Sequence, residues 1–238
     1  MVESVHRASP VDPTHYPVSE KVPEPVLQRL MMEELRPLVQ RWLDERGETA
    51  FAGADQFIYW VQYEPTTRAA PDVYVLPGVP RDADFGAWKV WETGIRPSLV
   101  IEIVGKDVQK DYVLAPQRYE AMGVEELVVC DPGYAESPER RQWQVWRRRG
   151  SRLRRAEATD AVRVRSEVLG CWLRMVGRGT GRRIRIATGP LAEVLFPTLA
   201  ESEAQRADAE TRRAEAETQR ADAAEAELAR LRAELQKR

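Results

Sequence analysis

The chain has 238 residues, of which 43% are hydrophobic and 31% are charged. Its 36 basic and 38 acidic residues nearly cancel, so net charge alone indicates neither a nucleic-acid nor a membrane partner. This length suits one domain of ordinary size with an appendage, or two small domains. The N-terminus has no basic region followed by an apolar core, and no apolar run approaches the roughly 18 residues of a membrane span. We therefore expect a soluble, cytoplasmic protein without a membrane partner.

Cysteine and histidine usage argues against two common kinds of chemistry. Cys130 and Cys171 lie in apolar stretches, which is typical of buried free thiols in a reducing compartment, and no CxxC spacing occurs. The two histidines, His6 and His15, both lie in the N-terminal stretch. We therefore do not expect histidine-based catalysis.

The N-terminal part predicts an arm followed by a helix. Residues 1–25 contain five prolines and read as an extended arm. Apolar residues then recur at helical spacing from Val26 until Gly47 ends the helix. Pro37 is expected to kink this helix or to split it.

After this helix, apolar residues recur at every second position, which predicts a sheet. Four short segments are rich in β-branched and aromatic residues: 57–63, 71–77, 98–104 and 126–132. A helix that ends at Gly123 lies between the last two, so these strands should be joined by a right-handed crossover within one sheet. A hairpin about Gly150 and Ser151 and a further pair of strands with a Gly-rich turn should extend the sheet or cap one of its edges. We expect an α/β domain over residues 26–197, with a mixed sheet flanked by helices.

The tail, residues 200–238, has a different composition. From Ala204 it repeats helix-forming residues every seven positions, with no Gly or Pro. One core position is held by Ala207, Ala214, Ala221, Leu228 and Leu235, whereas the other begins with glutamates and becomes apolar only at Ala224 and Leu231. The pattern fits either a solvated single helix stiffened by charge pairs or a coiled coil that assembles a homo-oligomer through residues 204–238.

Two predicted strands carry unexpected acids. Asp72 follows Pro71, and Glu102 interrupts the apolar run SLVIEIV. Side chains alternate along a strand, so Glu102 shares its face with Val100 and Val104. If the two strands are neighbours, both carboxylates can hold a hard divalent ion such as Mg²⁺. The alternatives are a turn residue at position 72 and a solvated strand face at position 102.

Several segments in order, including PDVYVLP, KVWETG, PSLVIEIV, KDYVLAPQRYEAMGVEELVVCDP and SEVLGCWLRM, resemble the Uma-type restriction endonuclease family of the PD-(D/E)XK nuclease superfamily. The resemblance covers about residues 17–235. It implies a restriction-endonuclease-like core with Asp72 and Glu102 as metal-binding acids, and an acid of the first helix, Glu33 or Glu34, as a further ligand. We take Glu34 as the expected third metal ligand.

The sequence departs from that family at the catalytic lysine. The superfamily has lysine two residues after the strand acid, where this chain has Val104. Many Uma-type members instead carry lysine four residues after an aspartate that matches Asp111, and here that position is Ala115. Lys106 and Lys110 are the nearest substitutes, and the alternative is that both are ordinary surface lysines. Gln117 and Arg118 are weaker candidates.

Residues 140–155 contain eight arginines with Trp143 and Trp146 between them. Arginine matches phosphate geometry and aromatic rings can stack on unpaired bases, so the segment is a candidate DNA contact. Equally, the arginines can be the solvated face of a hairpin and the tryptophans its buried face.

These observations lead to competing hypotheses. The first is a DNA endonuclease that depends on Mg²⁺ (or Mn²⁺), with Asp72 and Glu102 as ligands and Lys106 or Lys110 assisting catalysis. The second is a nuclease-like fold with weakened catalysis that binds nucleic acid or protein and oligomerises through its tail. A third is that the tail is the functional part and the globular domain is a head that binds a partner.

Overall fold

The computed structural model describes residues 12–17 and 25–235, and the remainder of the predicted N-terminal arm lies outside these ranges. The chain divides into two compact units, Met1–Phe196 and Pro197–Arg238. None of the helices within these ranges could span a membrane.

Four α-helices and one π-helical turn are present in the described ranges. Their bounds are Val26–Glu45 (α1), Val90–Thr93 (α2), Lys110–Leu114 (the π-helical turn), Ala115–Met122 (α3) and Leu199–Leu235 (α4). The π-helical turn runs directly into α3, and Gly123 ends α3 with a φ of +94°, a conformation that glycine adopts without strain. The predicted crossover helix and its C-terminal stop are thereby confirmed.

Thirteen strands occur in the described residues. Their bounds are Ala50–Gly53 (β1), Ile58–Tyr59 (β2), Arg68–Ala69 (β3), Val73–Pro77 (β4), Trp88–Lys89 (β5), Leu99–Ile103 (β6), Glu126–Cys130 (β7), Trp143–Arg149 (β8), Arg152–Thr159 (β9), Arg163–Ser166 (β10), Cys171–Val176 (β11), Arg183–Thr188 (β12) and Val194–Leu195 (β13).

The strands form a mixed six-stranded sheet and two smaller sheets. The six-stranded sheet has the order β1-β4-β6-β7-β8-β9, and only β6 and β7 are parallel. The second sheet, β10-β11-β12-β13, is antiparallel, and the third has the order β3-β2-β5. The predicted α/β class, with a mixed sheet flanked by helices and a long C-terminal helix, is confirmed.

Two apolar clusters cover the two faces of the six-stranded sheet. The first cluster joins α1, one face of this sheet and the inner face of β10–β12. The second cluster lies on the other face and includes Tyr119 and Met122 of α3. The strand β6 contributes alternate residues to both clusters, so it is buried from both sides.

Pro37 does not split the first helix, because α1 continues unbroken from Val26 to Glu45. A proline inside a helix costs about 3 kcal/mol or more through a lost hydrogen bond and a steric clash. Residues on both sides of Pro37, among them Leu35 and Val39, are buried in the first cluster. Their burial offsets the cost and keeps the helix in one piece.

The tail is a single helix of 37 residues, α4, as its composition predicts. The heptad residues Ala207, Ala214, Ala221, Leu228 and Leu235 are all exposed along it. The coiled coil itself stays a prediction, because the structure contains one copy of the chain.

Candidate active site

Two acidic residues meet on one face of the six-stranded sheet. The strands β4 and β6 are antiparallel neighbours, with Val73 opposite Ile101. One step further in the same register places Asp72 opposite Glu102, so both side chains leave the sheet on the same side. Both carboxylates line a cavity of about 630 Å³ on the face that carries the second cluster.

Two donors from different elements hold the Asp72 carboxylate, which is buried. The side-chain amide of Gln28, near the start of α1, donates to its two oxygens at 3.0 and 3.2 Å. The backbone N–H of Ile103 donates to Oδ2 at 2.6 Å, where the ladder between β4 and β6 ends. These bonds fix the direction in which the carboxylate faces the cavity.

The Glu102 carboxyl is buried and accepts a hydrogen bond from the hydroxyl of Tyr119 in α3. Burial raises the pKa of Glu102 well above its usual value, and repulsion by Asp72 and Asp111 raises it further. The Lys110 ammonium and the Tyr119 hydroxyl act in the opposite direction. In the absence of a bound cation, Glu102 therefore keeps its proton to an unusually high pH.

The π-helical turn Lys110–Leu114 carries a cation and a third acid to the cavity. The N–H of Ala115 donates to the carbonyl of Lys110, so Lys110 lies one π-helical turn before Ala115. Lys110, Asp111 and Lys106 all line the cavity. Burial lowers the pKa of Lys110, but attraction by the three carboxylates outweighs it, and the net shift is upward. The ammonium therefore stays charged beside the acids.

The first helix brings an amide, rather than an acid, to this cavity. The Glu34 carboxylate accepts a hydrogen bond from Nε of Arg183 at 2.9 Å, and Glu33 is exposed beside Arg29. The reason is that α1 packs in the first cluster, on the opposite face of the sheet, and reaches the cavity only through Gln28 near its start.

Residues 20–176 match the Uma2 family, whose description is "Putative restriction endonuclease". The match covers more than half of the chain. The chain belongs to this family. No curated protein matches the sequence. The crystal structure of a "putative nuclease belonging to DUF820" from Anabaena variabilis ATCC 29413 aligns with 63% of this chain and 76% of that chain, at 13% identity and a TM-score of 0.42. At this distance the likeness carries no functional information.

This Uma2 chain lacks lysine at both positions where the resemblance places it. Val104 and Ala115 are buried in the second cluster. Lys110, one π-helical turn before Ala115, is instead the lysine whose charge interacts with the acids. Lys106 lines the cavity as well, whereas Gln117 is exposed.

The donor set of the cavity suits a small hard cation. Mg²⁺ is usually bound by one or two carboxylates and keeps several of its waters. Among the residues that the structure describes, no group of three or more His, Cys, Asp or Glu side chains is placed to hold a metal ion. An ion in this Uma2 cavity would therefore depend on Asp72 and Glu102 and on water. Burial, and then repulsion by Asp72 and Asp111, raises the pKa of Glu102, and a cation between the two acids would favour its ionised form.

Among the residues that line the cavity, the sequence patterns gave no role to Gln28 or Asp55, and Asp111 entered only as the match to a family aspartate. Burial raises the pKa values of Asp55 and Asp111. A glutamine among the polar residues of a helix gives no local signal. Asp111 does have a local signal, because it follows Lys110 at the start of the crossover helix.

Most arginines of the basic segment 140–155 already contact other protein groups. Arg140 donates to both carboxylate oxygens of Asp131, at 2.6 and 2.7 Å, and Arg147 donates to Glu126 at 3.1 Å. Both tryptophans of the segment pack against the clusters. Much of this segment therefore has a structural role.

Proposed function

We propose that the protein is a DNA endonuclease that hydrolyses phosphodiester bonds with Mg²⁺ or Mn²⁺. Asp72 and Glu102 would hold the ion, because they are buried carboxylates at facing positions of adjacent strands and line one cavity. This juxtaposition is the observation that supports the proposal. When bound, such an ion polarises a phosphoryl oxygen and lowers the pKa of its water.

The chain's own residues would orient the site and balance its charge. Gln28 directs the Asp72 carboxylate, and the Tyr119 hydroxyl directs the Glu102 carboxyl. We assign to Lys110 the role of stabilising the negative charge that develops on the phosphate. Glu34 has no part in this proposal, because its carboxylate is paired with Arg183.

Cleavage of supercoiled plasmid DNA in Mg²⁺ or Mn²⁺ tests the proposal. Asp72→Asn and Glu102→Gln keep the size of each side chain, and each should lower the rate by at least about 100-fold, as expected for the loss of a key electrostatic group. Glu139→Gln, at an exposed glutamate, is the control and should cleave like the wild type. Equal rates in all four proteins would refute the assignment.

A second candidate function is a nucleic-acid-binding or protein-interaction module with weakened catalysis. The observation in its favour is the replacement of lysine by Val104 and Ala115. It predicts no heat of Mn²⁺ binding by calorimetry, together with DNA affinity that falls steeply with salt. Measurable metal binding that Asp72→Asn abolishes would favour the endonuclease.

We further propose that the protein forms a homo-oligomer through residues 204–238. The exposed Ala and Leu residues at every seventh position of α4 support this, because a repeated apolar stripe is buried when helices associate. The molar mass of the full chain in solution, measured by light scattering, tests it. A strictly monomeric mass at high protein concentration would contradict it.

A further inference from the structure

The π-helical turn before α3 decides which side chain faces the acids. The N–H of Ala115 donates to the carbonyl of Lys110, five residues earlier, whereas an α-helix joins residues four apart. Tyr119 follows Ala115 by one α-helical turn, so Lys110, Ala115 and Tyr119 lie in succession along one face of the helix. Lys110 and Tyr119 both line the acidic cavity, so this face is directed towards Asp72 and Glu102.

An ordinary α-helical turn would change the charge on this face. The residue four positions before Ala115 is Asp111, so Asp111 would lie one turn before Ala115 in place of Lys110. Lys110 would at the same time rotate by about 100° around the helix axis, because an α-helix has about 3.6 residues per turn. The extra residue of the π-helical turn therefore sets an ammonium, rather than another carboxylate, in line with Tyr119.

Tyr112, inside the π-helical turn, ties this turn to the six-stranded sheet. Its hydroxyl donates to Oδ2 of Asp131 at 2.7 Å and accepts a hydrogen bond from the backbone N–H of Arg141 at 3.1 Å. Asp131 directly follows β7, the strand that pairs with β6 and places Val129 opposite Glu102. The Tyr112 hydroxyl therefore connects the π-helical turn to the part of the sheet that carries the acid.

Asp131 is itself held in one orientation. Its carboxylate is fully buried and accepts hydrogen bonds from Nε and Nη2 of Arg140 at 2.7 and 2.6 Å, and from the N–H of Gly133 at 2.9 Å. A bidentate pair with arginine fixes the geometry of a carboxylate. Asp131 is thus a fixed acceptor, and a change to the α-helical register would rotate Tyr112 away from it.

We propose that Tyr112 is a positioning residue for the endonuclease reaction. Its hydrogen bond to Asp131 keeps the π-helical register, and this register sets Lys110 in line with Tyr119 beside Glu102. The described residues that line the cavity do not include Tyr112, so it acts through Lys110 and not on a substrate. The role rests on the proposed function, in which Lys110 stabilises the phosphate. π-Helical turns within α-helices are frequent at functional sites.

Plasmid cleavage in Mg²⁺, with kcat and KM measured separately, tests this role. Tyr112→Phe keeps the ring and removes the hydroxyl; it should lower kcat by about 10-fold and change KM by less than about 2-fold, because it disturbs a group that acts in the transition state. The matched variant is Tyr74→Phe, which removes a hydroxyl hydrogen bond of 2.6 Å to Gln56 from the same apolar cluster. It should leave both constants unchanged.

A shortened turn separates positioning from packing. Removal of Val113, whose side chain is exposed, leaves Lys110 four residues before Ala115, where an ordinary α-helical turn aligns it. Lys110 then no longer depends on the π-helical register. Tyr112→Phe should therefore lower kcat by less than about 2-fold in the chain without Val113, so the two changes are not additive. An equal loss with and without Val113 would overturn the proposal, because the hydroxyl would then act through packing alone.

The position of Lys110 can also be followed without DNA or metal. The chain has five lysines, so after reductive methylation with ¹³C-formaldehyde the NMR signal of Lys110 is identified by its loss in Lys110→Arg. Tyr112→Phe should shift this signal, because the ammonium moves away from the acids, whereas Tyr74→Phe should not. An unshifted signal in Tyr112→Phe would overturn the proposal, even if the chain without Val113 does not fold.

These measurements distinguish the positioning role from the proposed function. If the wild type cleaves no DNA but the Lys110 signal shifts as expected, the positioning of Lys110 by Tyr112 stands and the proposed endonuclease fails. If the wild type cleaves DNA and Tyr112→Phe cleaves it equally fast, the endonuclease stands and the positioning role fails.

Discussion

Glu102→Gln is expected to remove a pH dependence of stability that the metal-free wild type carries. Burial, and then repulsion by Asp72 and Asp111, raises the pKa of the folded Glu102 carboxyl well above the value of 4.5 that applies to the unfolded chain. Between these two values the folded state keeps a proton that the unfolded state has lost. The contribution of Glu102 to stability is therefore fully present below pH 4.5 and is lost as pH rises through the folded pKa.

The size of the change in stability follows from the one proton that Glu102 keeps in the folded state. A difference of one bound proton changes the free energy of unfolding by about 1.4 kcal/mol per pH unit. For each pH unit between the unfolded and the folded pKa, the wild type should therefore lose about 1.4 kcal/mol through Glu102 alone. The glutamine of the variant cannot ionise, and its side-chain oxygen can still accept the Tyr119 hydrogen bond. The free energy of unfolding of Glu102→Gln should therefore not fall with pH in this way.

Urea denaturation in EDTA at pH 5, 6 and 7 measures both proteins, with Glu139→Gln as an exposed control that should follow the wild type. The free-energy difference between Glu102→Gln and the wild type should grow in favour of the variant as pH rises. If the two curves against pH run parallel, the carboxyl is ionised in the folded protein and the reasoning about its environment is refuted.

Further predictions concern catalysis, packing, assembly and metal binding. Lys110→Ala should lower DNA cleavage by about 100-fold or more, and Lys106→Ala by much less, because attraction by the three acids raises the pKa of Lys110 and holds its ammonium beside them; similar rates in the two variants would contradict this. Gly53→Ala should destabilise the protein by about 1 to 3 kcal/mol in urea denaturation, because the added Cβ would lie 2.1 Å from the Tyr74 ring; an unchanged midpoint would show that the ring can move. A chain that ends before residue 197 should be monomeric by light scattering where the full chain is not; an unchanged mass would place the contact elsewhere. Mn²⁺ should raise the melting temperature of the wild type more at neutral than at acidic pH, since the ion and a proton compete for the same carboxyl; equal increments would argue against that competition.

The elements around the two acids could be predicted because their signals are local. Alternation along the strands placed Glu102 on a defined face, and the helix with a terminal Gly123 indicated a parallel pair on either side of it. The parallel pairing of β6 and β7 confirms this. The predicted meeting of the two acids required β4 and β6 to be neighbours in the sheet, and the structure shows that they are.

Features that depend on contacts distant in sequence could not be predicted. Glu34 and Gln28 are only six residues apart, but the packing of α1 on the sheet decides that Glu34 meets Arg183 while Gln28 meets Asp72. No pattern within the helix contains that information. Similarly, the charge of segment 140–155 suggested an exposed surface, and only the fold shows how many of its arginines have structural partners.

The position of β6 between two apolar clusters determines how the cavity can open. Each of its five residues is buried, and it is hydrogen-bonded to a strand on both sides. Backbone amides in such a strand exchange with solvent deuterium only when the whole domain unfolds. Opening of the sheet is therefore an unfavourable route to Glu102, and we expect a substrate to enter past lining residues outside the six-stranded sheet, among them Arg68, Lys106 and Asp107. Hydrogen exchange should accordingly be slow in β6 and fast in those lining residues.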